Sequence, residues 1–188
     1  MTDRHAKETV VHQFPPVFDS HSRVLILGTM PSPKSREQGF YYGHPRNRFW
    51  PVLAQVLGEP CPETISEKKA MALRHGIAVW DVLASCEIRG ADDTSIRNPV
   101  PNDMSRILDH APIQAVFTTG TKAAALFRKY CEKETGFSPI PLPSTSPANC
   151  RVTMEELTAA YGKILRYLED QENASRPHLQ KAAQPRPC

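Results

Sequence analysis

The sequence predicts an α/β domain in which helices cover a four-stranded, mainly parallel sheet. Four short apolar runs are spaced along the chain, segments of helical periodicity lie between them, and residues rich in Ser, Thr, Gly and Pro follow the runs. Strands that alternate with helices form parallel sheets, because each crossover lays a helix against one face of the sheet. The fold class therefore follows from the order of the elements.

The four predicted strands are short and apolar, as is typical of strands buried on both faces. They cover residues 24–27, 77–82, 115–117 and the proline-interrupted 140–142. Five helices are predicted, at residues 49–57, 66–74, 102–110, 121–130 and 153–168. In the last of these, Thr153 and Glu156 have the spacing of a capping box, which marks the first turn of a helix.

The length of 188 residues suits one domain with a buried core. We expect this domain to span residues 21–170, between an N-terminal extension of residues 1–20 and a disordered polar tail of residues 171–188. No run reaches the roughly 18 apolar residues that span a bilayer, and the polar first 20 residues lack the core of a signal peptide. We therefore expect a cytoplasmic protein with no membrane partner.

The cysteines give no sign of a metal or a disulfide framework. They are widely scattered, without a CxxC pair or a Cys/His cluster: Cys61, Cys86, Cys131, Cys150 and Cys188. Zinc and iron–sulfur sites use closely spaced ligands, so we expect reduced thiols and no cofactor. The P-loop, dinucleotide-binding, zinc-protease and nucleophile-elbow motifs are also missing from the sequence.

The formal net charge of +3 is a weak indication of a nucleic-acid partner. Residues 171–188 hold Arg176, Lys181 and Arg186 against Glu172 alone, and so carry two of the three net charges. The remainder of the chain is nearly neutral. Any electrostatic surface for nucleic acid must therefore be local.

The residues that follow the predicted strands are polar and mostly uncharged. They include Gly28 to Ser32, Asp81, Thr118 to Gly120 and residues 142–149. Ligands of open α/β sheets bind at the carboxyl ends of the strands, where such residues meet. Their hydroxyl and N–H groups suit phosphate oxygens or the edge of a nucleobase. An aspartate in the position of Asp81 also commonly caps the turn that follows a strand, and that alternative stays open.

The densest cluster of candidate binding residues lies in residues 28–50. Four cations against Glu37 are interleaved there with three aromatic residues: Lys34, Arg36, Arg46, Arg48, Phe40, Tyr41 and Tyr42. Such interleaving is typical of surfaces that bind a phosphate backbone and stack a base. The alternative is a solvated loop that leads its aromatic residues into the core. Within this segment, Asn47 has the ordinary role of a helix N-cap, with Pro51 in the first turn.

Three blocks of sequence carry a resemblance to a known family. Residues 28–32 read Gly-Thr-Met-Pro-Ser, residues 41–50 read Tyr-Tyr-Gly-His-Pro-Arg-Asn-Arg-Phe-Trp, and residues 144–149 read Ser-Thr-Ser-Pro-Ala-Asn. In this order they resemble the uracil-DNA glycosylase superfamily, most closely its hypoxanthine-DNA glycosylase branch. Residues 95–103 are also similar to that branch, and the resemblance covers about residues 23–168.

The resemblance implies a three-layer α/β/α fold and a set of roles. It implies that Asn47 is the catalytic residue, since Met30 stands where mismatch-specific relatives carry their catalytic asparagine. Tyr42 matches the aromatic residue that stacks on the flipped base, and we expect four further residues to contact that base: Gly28, Thr29, Met30 and Asp81. We expect DNA contacts from the remaining motif residues: Ser32, Ser35, Arg46, Ser144, Ser146, Pro147, Ala148 and Asn149.

The implied function is that of a monofunctional DNA glycosylase of base excision repair. It would act as a monomer on double-stranded DNA, flip out a deaminated base (hypoxanthine, or also uracil or xanthine) and hydrolyse the N-glycosidic bond with a water positioned by Asn47. In one respect the chain departs from uracil-specific relatives, since Leu142 replaces the histidine that stabilises their leaving base. A non-catalytic module that binds damaged DNA and a nucleoside or nucleotide hydrolase are the alternative functions.

Overall fold

The computed structural model describes residues 7–169, and a four-stranded parallel sheet lies at its centre. Its strands, numbered along the whole chain, are β2 (Val24–Gly28), β3 (Ile77–Asp81), β6 (Ala115–Thr119) and β7 (Ile140–Leu142). They lie in the order β3-β2-β6-β7, and all three neighbouring pairs are parallel. The predicted fold class and all four predicted strands are confirmed.

The sheet is buried because its strands are apolar on both faces. Every residue of β2 and β3 is buried, and so are the first four residues of β6. A strand without a polar face needs a layer of helices on each side. At the sheet edge, β7 tolerates Pro141, whose missing N–H would break a ladder inside the sheet.

Eight short helices surround or follow the sheet within residues 7–169. They are α1 (Pro33–Gln38), α2 (Phe49–Leu57), α3 (Ile65–Arg74), α4 (Ser105–Leu108), α5 (Thr121–Tyr130), α6 (Glu132–Thr135), α7 (Met154–Tyr161) and, after a 3₁₀ turn at Gly162–Ile164, α8 (Leu165–Leu168). The predicted helices at residues 49–57, 66–74 and 121–130 are confirmed. The capping box of Thr153 and Glu156 is present at the start of α7.

The helix predicted at residues 102–110 is confirmed only at Ser105–Leu108 and is wrong over residues 102–104 and 109–110. Asn102 does not begin the helix because its side chain is used in another way. Its Nδ2 donates to the backbone carbonyls of Asp81 and Leu83, at 3.0 Å each, and ties this segment to the junction that follows β3. Helix α1 was not predicted either, although Ser32 caps it and Pro33 opens it.

A second, antiparallel sheet lies beside the first and was not predicted. Its strands are β1 (Glu8–Val11), β4 (Leu83–Arg89) and β5 (Asp92–Pro101), in the order β1-β4-β5. Strand β4 begins two residues after β3 ends, and Gly90 and Ala91 form the two-residue turn of the β4–β5 hairpin. A glycine with φ of 55° suits the first position of that turn. The chain thus leaves the central sheet at the carboxyl end of β3 and enters the second sheet directly.

The N-terminal residues that the structure describes belong to the folded unit. Strand β1 pairs with β4, Val10 is buried, and Val17 forms an antiparallel bridge to Val79 at the edge of the central sheet. This differs from the predicted extension over residues 1–20, because a polar segment can form a strand on an edge that the sequence pattern did not reveal. The predicted tail, residues 171–188, lies outside the described residues.

The four cysteines within residues 7–169 are unpaired, with Cys86 and Cys131 buried and Cys61 and Cys150 exposed. Within the same residues, no helix has both the length and the apolar composition required to cross a membrane.

Candidate functional site

A cleft opens at the carboxyl ends of the central strands, where the sequence pattern placed a binding site. Its volume is about 170 Å³, well below the roughly 300–1,000 Å³ of pockets that take drug-sized ligands. Its lining brings together eleven of the fourteen predicted site residues: Gly28, Thr29, Met30, Ser32, Ser35, Tyr42, Asn47, Asp81, Ser144, Ser146 and Pro147. Arg46, Ala148 and Asn149 lie outside this lining. The size suits a single nucleobase.

Gly28 and Asp81 form the floor of the cleft. They end β2 and β3 and face each other in the register of the parallel pair. A Cβ atom on Gly28 would overlap Oδ1 of Asp81 and lie 3.2 Å from the hydroxyl oxygen of Tyr42. The first glycine of the Gly-Thr-Met-Pro-Ser motif is therefore required because two side chains approach its backbone.

Asp81 is held by His12, the residue that directly follows β1. Nε2 of His12 lies 2.8 Å from Oδ2 of Asp81, and both side chains are almost completely buried. Nδ1 of His12 accepts the backbone N–H of Phe14, so the hydrogen of a neutral ring is on Nε2 and is donated to the carboxylate. The backbone N–H groups of Val82 and Leu83 donate to the carbonyls of Gly28 and Thr29, so Asp81 does not cap the turn after β3, the alternative that the sequence left open.

We expect that replacing His12 by Ala destabilises the fold. The buried Asp81 carboxylate would lose its donor, and an unsatisfied buried acceptor costs about 1–3 kcal/mol of unfolding free energy. Urea denaturation followed by tryptophan fluorescence measures this difference. The matched control is His21→Ala at an exposed position, for which we expect a change within about 0.5 kcal/mol. Equal stability of His12→Ala and wild type would show that the pair does not support the fold.

Tyr42 is held in position from two sides. Its ring stacks on Phe49, with centroids 3.7 Å apart and planes inclined by 11°, and its hydroxyl lies 3.2 Å from Oγ1 of Thr119 at the end of β6. Its φ is 53°, in the left-handed region, which costs a non-glycine residue about 1–3 kcal/mol and is found mainly at functional sites. Burial, and next the charge of Asp81, raises the pKa of the Tyr42 hydroxyl. The hydroxyl therefore stays protonated.

Asn47 lies one residue before the N-cap of α2, which is Arg48, so the predicted N-cap is one residue too early. Its Oδ1 accepts the backbone N–H of Phe49 at 3.0 Å, which satisfies one of the free donors at the start of α2. This contact fixes the side-chain amide where Asn47 lines the cleft. A carbonyl oxygen has a second lone pair, so Oδ1 can still accept a hydrogen bond from a water molecule.

The loop of residues 144–149 is braced internally and tied to the start of α2. Within it, Nδ2 of Asn149 donates to the Ser144 carbonyl at 2.8 Å, and the backbone N–H of Ser146 donates to Oγ of Ser144. The guanidinium of Arg48 donates to the Asn149 and Val152 carbonyls. Ala148 is exposed at the tip of this loop. The loop is thus a rigid projection beside the cleft, and the Asn149 amide is used to build it.

The hydroxyl groups of Ser32 and Ser35 are used within the protein. Oγ of Ser32 caps α1 by accepting the N–H of Ser35, and it donates to Oγ of Ser35. Oγ of Ser35 in turn accepts the N–H of Gly43 at 3.0 Å. These bonds connect the Gly-Thr-Met-Pro-Ser motif to the Tyr-Tyr segment, so the two serines shape the cleft wall.

The four cations of residues 28–50 have different surroundings. Lys34 pairs with Glu37, Arg36 pairs with Glu8, and Arg48 binds the carbonyls described above. Arg46 is exposed, and its guanidinium has no hydrogen bond or ion pair with any residue in the described part of the chain. Of these four cations, Arg46 is the one whose charge remains for an external anion.

The second sheet adds site residues that sequence reasoning missed. Besides His12, its β4–β5 hairpin places Ala91 and Asp93 in the lining of the cleft. Oγ1 of Thr29 donates to Oδ2 of Asp93 at 3.1 Å. The signal that could have revealed the hairpin is the apolar–polar alternation of residues 86–89, Cys-Glu-Ile-Arg, before the turn residues Gly90 and Ala91.

Three further residues of the cleft lining were not among the predicted site residues. Thr119 and Thr145 border the cleft, and so does His44, for which the sequence alone indicated no definite role. Leu142, in the place of the histidine of uracil-specific relatives, is buried on β7. It does not line the cleft, so this position offers the leaving base nothing.

The chain belongs to the uracil DNA glycosylase superfamily, because residues 15–169 match the model of that family. The family expected from the three motifs is thereby confirmed, and the enzyme class is DNA glycosylase. The chain is 34% identical over 140 residues to the hypoxanthine DNA glycosylase of Methanosarcina acetivorans, covering 73% of this chain and 87% of that protein. It is 37% identical over 112 residues to the hypoxanthine DNA glycosylase of Methanosarcina barkeri, covering 58% of this chain and 71% of that protein.

A solved structure has the same fold. It is the solution NMR structure of a provisionally assigned uracil DNA glycosylase from Methanosarcina acetivorans, with a TM-score of 0.70 and 28% sequence identity. The similarity covers 84% of this chain and 99% of that one.

Proposed function

We propose that this protein is a monofunctional glycosylase that removes hypoxanthine from double-stranded DNA. The observation that carries the proposal is the cleft in which the Asn47 amide, the Tyr42 ring and the Gly28–Asp81 floor enclose a space of nucleobase size. The two Methanosarcina relatives are described as hypoxanthine DNA glycosylases, which supports hypoxanthine as the substrate base in preference to uracil or xanthine. We propose a monomer as the active form.

Recognition begins with extrusion of the damaged base. A base inside a duplex is inaccessible, and unstacking it costs a few kcal/mol, least where it is already mispaired, as deamination products are. The rigid loop of residues 144–149 suits insertion into the vacated space, with Pro147 and the exposed Ala148 at its tip. Arg46, whose charge is free, suits a DNA phosphate next to the cleft.

Once inside the cleft, the base would stack on Tyr42. One face of this ring is covered by Phe49, so the opposite face alone remains for a base. Stacking on an aromatic side chain contributes about 1–3 kcal/mol per base. Because Tyr42 is fixed by Thr119 and Phe49, little side-chain entropy is lost on binding. The same preorganisation explains why its strained backbone conformation is retained.

Hydrolysis then requires a positioned water and a stabilised leaving base. Oδ1 of Asn47, oriented by the Phe49 N–H, would accept a hydrogen bond from the attacking water, while the C1′–N bond breaks through an oxocarbenium-like transition state. A bifunctional glycosylase instead attacks with a lysine amine. Among the described residues, the lining of the cleft contains no lysine, which supports hydrolysis without a Schiff-base step.

The proposal is tested with a panel of duplexes that each contain one lesion. We expect single-turnover excision of hypoxanthine to leave an abasic site and an uncut strand, since no lyase step follows. Binding of the lesion without excision would identify a damaged-DNA binding module instead. Preferential cleavage of deoxyinosine monomers would identify a nucleoside hydrolase, and faster removal of uracil or xanthine would correct the proposed base.

We expect excess EDTA to leave the excision rate unchanged. The reaction as proposed uses one water and neutral or acidic side chains of this chain, and the scattered cysteines do not have metal-ligand spacing. Excision of hypoxanthine with and without chelator measures this. A loss of activity that added metal restores would contradict the proposed mechanism.

A further inference from the structure

The carboxyl group of Asp93 is a part of the cleft that the proposed function has not used. It enters from β5, in the hairpin that the second sheet places over the strand ends. Oγ1 of Thr29 donates to its Oδ2 at 3.1 Å. Its other oxygen, Oδ1, has no hydrogen-bonding partner among residues 7–169. One carboxyl oxygen is thus fixed by the motif threonine, and the other is left for a ligand.

The surroundings of Asp93 favour its protonated form. Burial is the largest effect and raises the pKa of Asp93, and the negative charges of Asp81 on β3 and, more weakly, of neighbouring Asp92 act in the same direction. The hydrogen bond from Thr29 and the positive charge of Lys122 on α5 act in the opposite direction, but the net direction is upward. Cys86 on β4 also lies near, and burial raises the pKa of its thiol to about 11, so it carries no charge.

The other polar groups of the cleft are less suited to donating a proton. One oxygen of Asp81 already accepts the N–H of His12, so this carboxyl group is engaged within the protein. Tyr42 and Thr119 bind each other, and burial holds the Tyr42 proton. His44 is the remaining rival, because its Nδ1 accepts the N–H of Arg46 and leaves Nε2 as a donor. Two carboxyl groups in different environments are a common way to separate acid from base in one site.

We propose that Asp93 is the acid of the reaction and transfers its proton to a ring nitrogen of the departing base. This inference rests on the proposed glycosylase function and supplies the leaving-group stabilisation that Leu142 does not. The oxygen of water bonds to C1′ as the electron pair of the C1′–N9 bond passes to the base. The Oδ1 proton of Asp93 moves to the base, the attacking water releases one proton to solvent, and solvent returns one to Asp93. The sum is one water consumed per free base and abasic site.

The test is the pH dependence of single-turnover hypoxanthine excision, measured with the full chain at saturating enzyme. For the wild type we expect the rate to fall about tenfold per pH unit above the pKa of Asp93, because the acid form is then lost. Asp93→Asn keeps a hydrogen-bond donor but has no proton to transfer. We expect its rate to be lower by about 10²–10⁴ below that pKa, with no alkaline decline, while lesion binding remains.

Matched variants separate this role from charge effects and from the rival histidine. Asp92→Asn removes the same charge at the exposed neighbouring residue, whose oxygen also accepts from Thr94. We expect it to keep the wild-type rate at low pH, with the alkaline decline moved slightly to lower pH, because the charge of Asp92 raises the pKa of Asp93. Thr29→Val should keep the acid but shift the alkaline decline to higher pH, because the lost hydrogen bond stabilises the carboxylate. His44→Gln should retain the alkaline decline.

A second measurement is independent of turnover. The carbon-13 NMR signal of the Asp93 carboxyl group is identified by its absence from the spectrum of Asp93→Asn. We expect this signal to titrate with a pKa above the ordinary aspartate value of about 3.9. A titration at or below that value would overturn the proposal, and so would an unchanged rate or an unchanged alkaline decline in Asp93→Asn. If the wild type excised no base from any lesion duplex, the proposed glycosylase function itself would be contradicted. The role of Asp93 would then be contradicted as well, because it rests on that function.

Discussion

Replacing Asn47 by Ala is expected to abolish most excision while leaving lesion binding intact. The substitution removes the amide that orients water in the cleft, and general acid–base or positioning groups of this kind contribute about 10²–10⁴ to the rate. It also removes the acceptor for the Phe49 N–H, so a stability loss of about 1 kcal/mol is expected in addition. Single-turnover kinetics on hypoxanthine duplex, with enzyme confirmed as folded, separate the two effects.

Two variants show which role of Asn47 matters for the chemistry. Asn47→Asp keeps an oxygen that accepts the Phe49 N–H, and we expect a stable protein with an altered rate or base preference. Thr64→Ala removes the N-cap of α3 and should cost about 1 kcal/mol without changing excision. Near wild-type excision by folded Asn47→Ala would refute the catalytic assignment and leave Asp81 as the next candidate.

Replacing Gly28 by Ala is expected to lower excision about 100-fold, since displacements near 1 Å in an active site have effects of this size. The added methyl group would overlap Oδ1 of Asp81, which cannot simply rotate away because its carboxylate is held by His12. The Tyr42 hydroxyl, 3.2 Å from the same position, restricts it from another side. We also expect the unfolding free energy to fall by about 1–3 kcal/mol, as is typical of overpacking.

The control for Gly28 is the same substitution in open space. A Cβ atom on Gly162 meets no atom within 4 Å, and its φ of −54° is helical, so Gly162→Ala should be neutral or stabilising by up to about 1 kcal/mol. A double-mutant cycle of Gly28→Ala with Asp81→Ala should show that the two stability losses are not additive. Additive losses, or wild-type excision by Gly28→Ala, would mean that the close approach at the floor is unimportant.

Local sequence was sufficient for the central sheet and for most of the helices. Continuous apolar runs predicted β2, β3, β6 and β7, because a strand buried on both faces has no other composition available. Apolar spacing predicted α2, α3 and α5, and a capping box predicted the start of α7. The motif resemblance, together with the rule that ligands bind at the carboxyl ends of parallel strands, also placed Gly28, Tyr42 and Asn47 in one site.

Local sequence failed where a contact with a distant segment decided the structure. Strand β1 has only four residues, of which Val10 and Val11 are apolar, and it forms because the edge of β4 supplies its hydrogen bonds. Asn102 favours the start of a helix by its local propensity, yet its amide binds two carbonyls near the end of β3 instead. The hairpin of β4 and β5 was missed for the same reason, since half-buried strands depend on their partners more than on intrinsic propensity.

The sequence by itself thus determined the family, the parallel sheet and the cleft residues that lie within its motifs. Only the tertiary structure decided the state of those residues: that Asn47 both binds the Phe49 N–H and lines the cleft, that His12 holds Asp81, and that Arg46 keeps a free charge. It also brought Asp93 beside Thr29, which is 64 residues earlier in the chain. The physical reason is that burial and hydrogen bonding set protonation and availability, and both depend on neighbours that sequence spacing does not specify.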